Sequence, residues 1–250
     1  MPDTKKPFDL NMHTARLLMN EPFFAALSRS IEKVPSTSVP TAGVRVNPDT
    51  ARFELMFNPE FMGALSDAHK LGVLKHEFYH IILEHVTGRK PAGGLKRIDN
   101  IAMDLAINCH IANELPNEAN PGPVINGEPM KACIPGEGLF SHLPPNQTYE
   151  WYRAKLEDEM KESEDGEGGE GGEGGEPQWA DADSLDSHDN FGDSEGTTKE
   201  IAKERLRESV KKAAQEAEKA RNWGTVSSSM RQSIMERIST KVDWRKVLRY

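Results

Sequence analysis

Only two cysteines, Cys109 and Cys133, occur in the 250 residues. That is too few for a disulfide framework or a cysteine-rich structural zinc module, so stability must come from packing and any metal site from other ligands. Long apolar runs are missing too: no stretch approaches the ~20 apolar residues of a membrane-spanning helix. The opening residues, Met1-Pro2-Asp3-Thr4-Lys5-Lys6-Pro7, lead into no signal-peptide hydrophobic region. A soluble, cytoplasmic protein with no membrane partner is expected. An overall basic balance is absent as well, but the net charge of -9 misleads. Residues 157–196 hold sixteen Asp or Glu against one Lys, net -15, which leaves +6 on the remainder. No nucleic-acid recognition motif accompanies that remainder, and glutamates recur through its most basic stretch, Lys199 to Arg249. Glu200, Glu204 and Glu208 alternating with Lys203, Arg205, Arg207 and Lys211 read as a solvated helix face, so nucleic acid is not an expected partner.

What is present is His76-Glu77-Phe78-Tyr79-His80. Two histidines four residues apart fall about one turn apart on a helix of ~3.6 residues per turn, so their imidazoles can converge on one metal ion. Glu77 then points at the same ion, where a carboxylate can take the proton of a metal-activated water as that water attacks a carbonyl. Val73, Leu74, Phe78, Tyr79, Ile81 and Ile82 surround the motif, and Lys75 is the only other charged residue this close. The helix is therefore buried, and ionisable groups are rarely buried without partners. A metal would supply the partner.

An open catalytic zinc site needs a third protein ligand. Glu84 and His85 lie nearby, but on a helix running from about Asp67 to Thr87 they are displaced from His76 by roughly 12 Å along the axis. The next helical segment, Ile98 to Ala112 with Asp99 as N-cap, offers a better candidate. Asn100, Asp104 and Asn108 recur every four residues as a polar stripe in an otherwise apolar helix. Asp104 at its centre is the expected third ligand, with Asn100 and Asn108 orienting the ligands by hydrogen bonds. His110 lies off the stripe and is a weaker rival. Cys133 and His142 stand alone in a long Pro-, Gly- and Asn-rich loop, where a lone Cys or His usually has no metal role.

The order Phe57-Asn58-Pro59-Glu60-Phe61, then His76-Glu77-Phe78-Tyr79-His80 with Glu84-His85 and Arg89, then Asn100 to Asn108, resembles the "putative metallopeptidase domain" family found before VWA-like domains in bacterial and phage proteins. Lys241 to Leu248 is similar to the stretch that joins the two halves, so a VWA-like half would begin at about Tyr250. The resemblance implies a zincin-like HExxH site with His76, His80 and Asp104 on one Zn2+ per chain and Glu77 as base. It also implies a peptide or protein substrate, and a VWA-like or AAA-type ATPase partner.

The fold class expected is α+β: mainly helical, zincin-like, with a small β-hairpin or sheet beside the HExxH helix. Leu10 to Val34 has helical apolar spacing interrupted near Pro22, which suggests two helices. Val44 to Val46 and Arg52 to Phe57 alternate at period two around Asn47-Pro48-Asp49-Thr50, which predicts a hairpin along which an extended substrate could add as a strand. Thr148 to Met160 reads as a helix with Tyr149, Tyr152 and Leu156 on one side. The chain divides into a metallopeptidase domain over 1–160, a disordered acidic Gly/Glu-rich linker over 161–197 and a helical C-terminal arm over 198–250. The arm has few large apolar residues and is expected to dock on the first domain or on a partner. Two functions fit: a zinc-dependent metallopeptidase, or a catalytically silent metal-binding adaptor that works with a VWA-like or AAA-type ATPase partner. The intact Glu77 favours the first, because a scaffold has no chemical need for a base beside the metal.

Overall fold

The computed structural model describes residues 8–89, 95–125, 127–165, 177–181 and 196–239. Helix α1 (Leu10–Leu17) is capped by Asp9, whose carboxylate accepts the Asn11 amide at 2.9 Å. Helix α2 (Pro22–Ser28) opens on Pro22, where the missing N–H would be unsatisfied in any case. Helical spacing predicts helix up to Val34, but residues Glu32–Pro35 form strand β1. Pro35 disfavours the α conformation at Val34, and a parallel pairing with β3 (Phe53–Phe57) satisfies the extended backbone. Strands β2 (Ala42–Val46) and β3 make the expected antiparallel hairpin, with Val46 opposite Phe53 and Ala42 opposite Phe57. The sheet order is β1-β3-β2, and every residue of β3 is buried. Glu54 tolerates that burial because Arg45 Nε, directly across the pair, and Asn47 Nδ2 reach its two oxygens at 2.7 and 2.6 Å.

After the short α3 (Pro59–Ala64), Ser66 Oγ accepts the His69 amide and starts α4 (Asp67–Ile82), as its sequence predicts. From Gly72 to Ile82 every residue of α4 is buried. At Gly72 the helix presses against the Glu114 carbonyl so closely that a Cβ would collide with it. Helix α5 (Arg97–Asn108) is capped at Lys96 rather than at Asp99. Asp99 is its third residue, and its Oδ2 accepts the Lys96 amide at 2.8 Å. Its Oδ1 accepts Tyr149 Oη–H at 2.8 Å and Arg153 Nε–H at 2.6 Å, both from α6 (Tyr149–Asp165). The fully buried Asp99 therefore ties α5 to α6, and burial beside that carboxylate pushes the Tyr149 hydroxyl up so that it stays a donor. The long loop between these helices carries a two-residue hairpin, β4 (Val124–Ile125) with β5 (Glu128–Pro129).

Tyr149, Tyr152 and Leu156 are buried along one side of α6, as expected, and the helix continues past Met160 to Asp165. Most of the tract expected as a linker, residues 166–176 and 182–195, lies outside the described residues, as does the Lys241 to Leu248 stretch. Within the tract, Gln178–Asp181 forms a 3-10 turn. Its Trp179 is only 4% exposed and donates its indole N–H to Glu159 Oε2 at 2.7 Å. Helices α7 (Thr197–Ala220) and α8 (Ser228–Ser239) form the C-terminal arm. A face of Ala202, Leu206, Val210, Ala213, Ala214 and Ala217 lets α7 approach closely and pack mainly on α2, while Trp223 stacks on Phe23 at 5.2 Å between ring centroids. Among the described residues no helix is long and apolar enough to cross a membrane.

Candidate metal centre

Helices α4 and α5 pack against each other, with Asp104 and Asn108 of the polar stripe turned toward the His pair. His76 Nε2 and His80 Nε2 are 3.0 Å apart, and Asp104 Oδ1 lies 3.5 Å from the first and 3.4 Å from the second. All three residues are fully buried. The residues expected to share an ion thus converge, because one helical turn on α4 and a single position of α5 meet inside the core.

The orientation of His76 follows from its neighbour on α5. Asn108 Nδ2 donates to the Cys133 carbonyl at 2.8 Å, which leaves its amide oxygen facing His76 Nδ1 at 2.8 Å. That oxygen only accepts, so His76 carries its proton on Nδ1 and presents a lone pair at Nε2. His80 has its own contact, with Nδ1 3.1 Å from His85 Nδ1. Helical extrapolation does not anticipate this contact, since it carries α4 to Thr87 and sends His85 far along the axis. In the structure α4 ends at Ile82, Glu84 adopts a left-handed backbone at φ 62°, and the chain doubles back.

Glu77 follows His76 and precedes His80 by one turn's spacing, and its carboxylate is fully buried. Asn100, expected beside the ligands, has a buried amide oxygen with no hydrogen bond among the described residues, and nothing in its hydrogen bonding ties it to the cluster. Glu84 faces Arg237 of α8 at 3.8 Å, away from the cluster. His110 stands 3.4 Å from Ser227 Oγ and beside the Tyr79 ring, and burial holds its pKa below the usual histidine value. Cys133 enters through its backbone carbonyl, and His142 pairs with Glu159 at 2.8 Å. Lys75, next to His76 in sequence, points elsewhere: its ammonium donates to Glu21 and Glu114 at 2.7 Å and to Thr225 Oγ1 at 2.6 Å.

The donor set fits a divalent cation. Ligand atoms at zinc distances of ~2.0–2.2 Å and tetrahedral angles stand roughly 3.3–3.6 Å apart, and the triangle here has edges of 3.0, 3.4 and 3.5 Å. Among the described residues this is the one group of His, Cys, Asp or Glu side chains spaced to hold a metal. A carboxylate facing an imidazole lone pair in a dry interior is repulsive, and a cation between them removes the repulsion.

The family model described as "Putative metallopeptidase domain" matches residues 5–250. The chain belongs to this family. The match includes the C-terminal arm as well as the two helices that carry His76, His80 and Asp104. No curated protein and no solved structure matches the chain.

Proposed function

We propose that the protein is a zinc-dependent metallopeptidase that hydrolyses peptide bonds, with one Zn2+ per chain on His76, His80 and Asp104 and with Glu77 as general base. The observation that carries this reading is the convergence of two imidazole nitrogens and a carboxylate oxygen in a fully buried triangle, with the buried Glu77 next to His76 in the chain. Zinc in that position supplies a Lewis acid that polarises the scissile carbonyl and acidifies water. Glu77 takes the proton of the attacking water and returns it to the departing amine. Asn108 holds His76 in the tautomer that leaves Nε2 available. Strand β2 is an edge of the sheet and packs on α4, which suits an extended peptide or protein substrate added alongside it.

The test pairs metal analysis with a proteomic cleavage screen of wild type and Glu77→Gln. The amide keeps the size of the side chain but cannot accept a proton, so metal content should stay near one per chain while cleavage falls by at least ~100-fold. Equal cleavage by the two proteins would defeat the assignment of Glu77. Bound metal with no cleavage by wild type would favour the silent adaptor.

A further inference from the structure

The end of α4 is built as a Schellman motif without glycine. Leu83 is the C-cap, Glu84 occupies the left-handed position, and two reversed hydrogen bonds close the turn: His85 N–H to the His80 carbonyl at 2.9 Å and Glu84 N–H to the Ile81 carbonyl at 3.0 Å. In this motif the residue after the left-handed one characteristically packs its side chain on the residue five before it. Here those two residues are His85 and His80, so an arrangement that ordinarily makes an apolar contact sets two imidazoles in a T-shape, 5.0 Å between centroids and 3.1 Å between Nδ1 atoms. Both are fully buried, and the His85 ring also meets the ring of Tyr149, 5.9 Å away between centroids, whose hydroxyl is fixed on Asp99.

From this geometry we infer that His85 is a positioning residue for the metal site. It accepts the Nδ1 proton of His80 and so does for that ligand what Asn108 does for His76. The inference rests on the proposed zinc site. If His80 gives its Nε2 lone pair to the ion, its proton sits on Nδ1, and at 3.1 Å the atom placed to accept it is His85 Nδ1. The two α4 ligands are then each locked by one acceptor, one from α5 and one from the turn that ends α4 itself. His85 does not touch the reacting groups.

The experiment measures Zn2+ affinity of the full chain by competition with a chromophoric chelator for wild type, His85→Leu and His85→Asn. The Asn amide oxygen can occupy the place of Nδ1 and accept the same proton, whereas Leu cannot accept. Loss of an outer partner costs on the order of 10–100-fold in metal affinity, so His85→Leu should weaken binding by that factor while His85→Asn stays within a few-fold of wild type. A purely structural role would lower the melting temperature of both variants and leave the zinc affinity unchanged. That result overturns the inference, as does Asn binding as weakly as Leu. A second readout needs no variant: long-range 1H–15N spectra of zinc-loaded wild type should show His80 protonated and His85 unprotonated at Nδ1, and the reverse assignment overturns it. Wild type that binds no zinc would instead refute the metal site itself, a failure distinct from that of His85.

Discussion

Asn108 shows how much one side chain decides in this site. Its amide group gives a proton to the Cys133 carbonyl and takes one from His76, so the backbone of the long loop fixes the tautomer of a proposed ligand on another helix. Replacement by Leu, which has the same branching and neither function, should lower zinc affinity by about 10–100-fold, while Asn108→Asp, which still accepts from His76, should retain most of it. Chelator competition measures both, and an unchanged affinity in Asn108→Leu would detach this residue from the metal site. Asp104 and Asn108 were legible in the sequence because polar residues every four positions in an apolar helix need a buried partner. Asn100 obeys the same spacing, yet its amide oxygen is left without a hydrogen bond among the described residues. Periodicity places a residue on a face but does not say where along the helix the neighbouring helix crosses it. Cys133 was unreadable for another reason, since it contributes a carbonyl that any residue carries.

At the scale of elements, the sequence signalled how helices begin more clearly than how they end. Ser66 announced the start of α4 because a side-chain cap is written in the residue type. The stop at Ile82 was hidden, because apolar spacing continues through Val86 and the left-handed position holds Glu84 instead of the glycine that usually marks it. The ending is sustained from outside the helix: Arg237 Nη1 of α8 donates to the Ile82 carbonyl at 3.1 Å, a cation at the negative end of the helix dipole. A non-glycine residue in this conformation is strained by about 1 kcal/mol or more. Glu84→Gly should therefore stabilise the protein by ~0.5–1 kcal/mol, the gain being reduced by loss of the exposed 3.8 Å pair with Arg237. Glu84→Ala keeps the strain and loses the pair. The melting temperatures should run Gly above wild type above Ala, and any order that places Ala at or above Gly rejects the claim of strain. The hairpin was legible because period-two alternation flanked a strong turn, whereas β1 was not, since its four residues gain their extended form from pairing with β3.

For the whole molecule, the decisive residue is Lys75. In the sequence it is a charge inside an apolar run, two residues before Glu77. In the fold it gathers Glu21, Glu114 and Thr225, which lie 54, 39 and 150 positions away. No local pattern announces partners at those distances. The ammonium is fully buried and joins the start of α2, the turn after α5 and the link between α7 and α8 to the helix that carries both histidines. Thr225 adds to the junction by donating its amide and hydroxyl protons to Glu21 at 2.9 Å. The C-terminal arm is thereby tied into the same body as the helix that carries His76 and His80. Lys75→Met preserves length and packing but leaves two carboxylates facing each other without a cation. Breaking a buried ion pair in this way costs about 3–5 kcal/mol, which in a chain of this size lowers the melting temperature by roughly 10 °C. Adding Glu21→Gln should recover part of the loss, because one of the stranded charges is then neutral and can still accept from Thr225. Thermal unfolding of the single and double variants decides the matter. If Lys75→Met melts with wild type, the arm is held by its other contacts, among them α7 packing on α2, the Trp223 stack and Arg237 on the Ile82 carbonyl, and the buried lysine is not what couples it to the helix of the His pair.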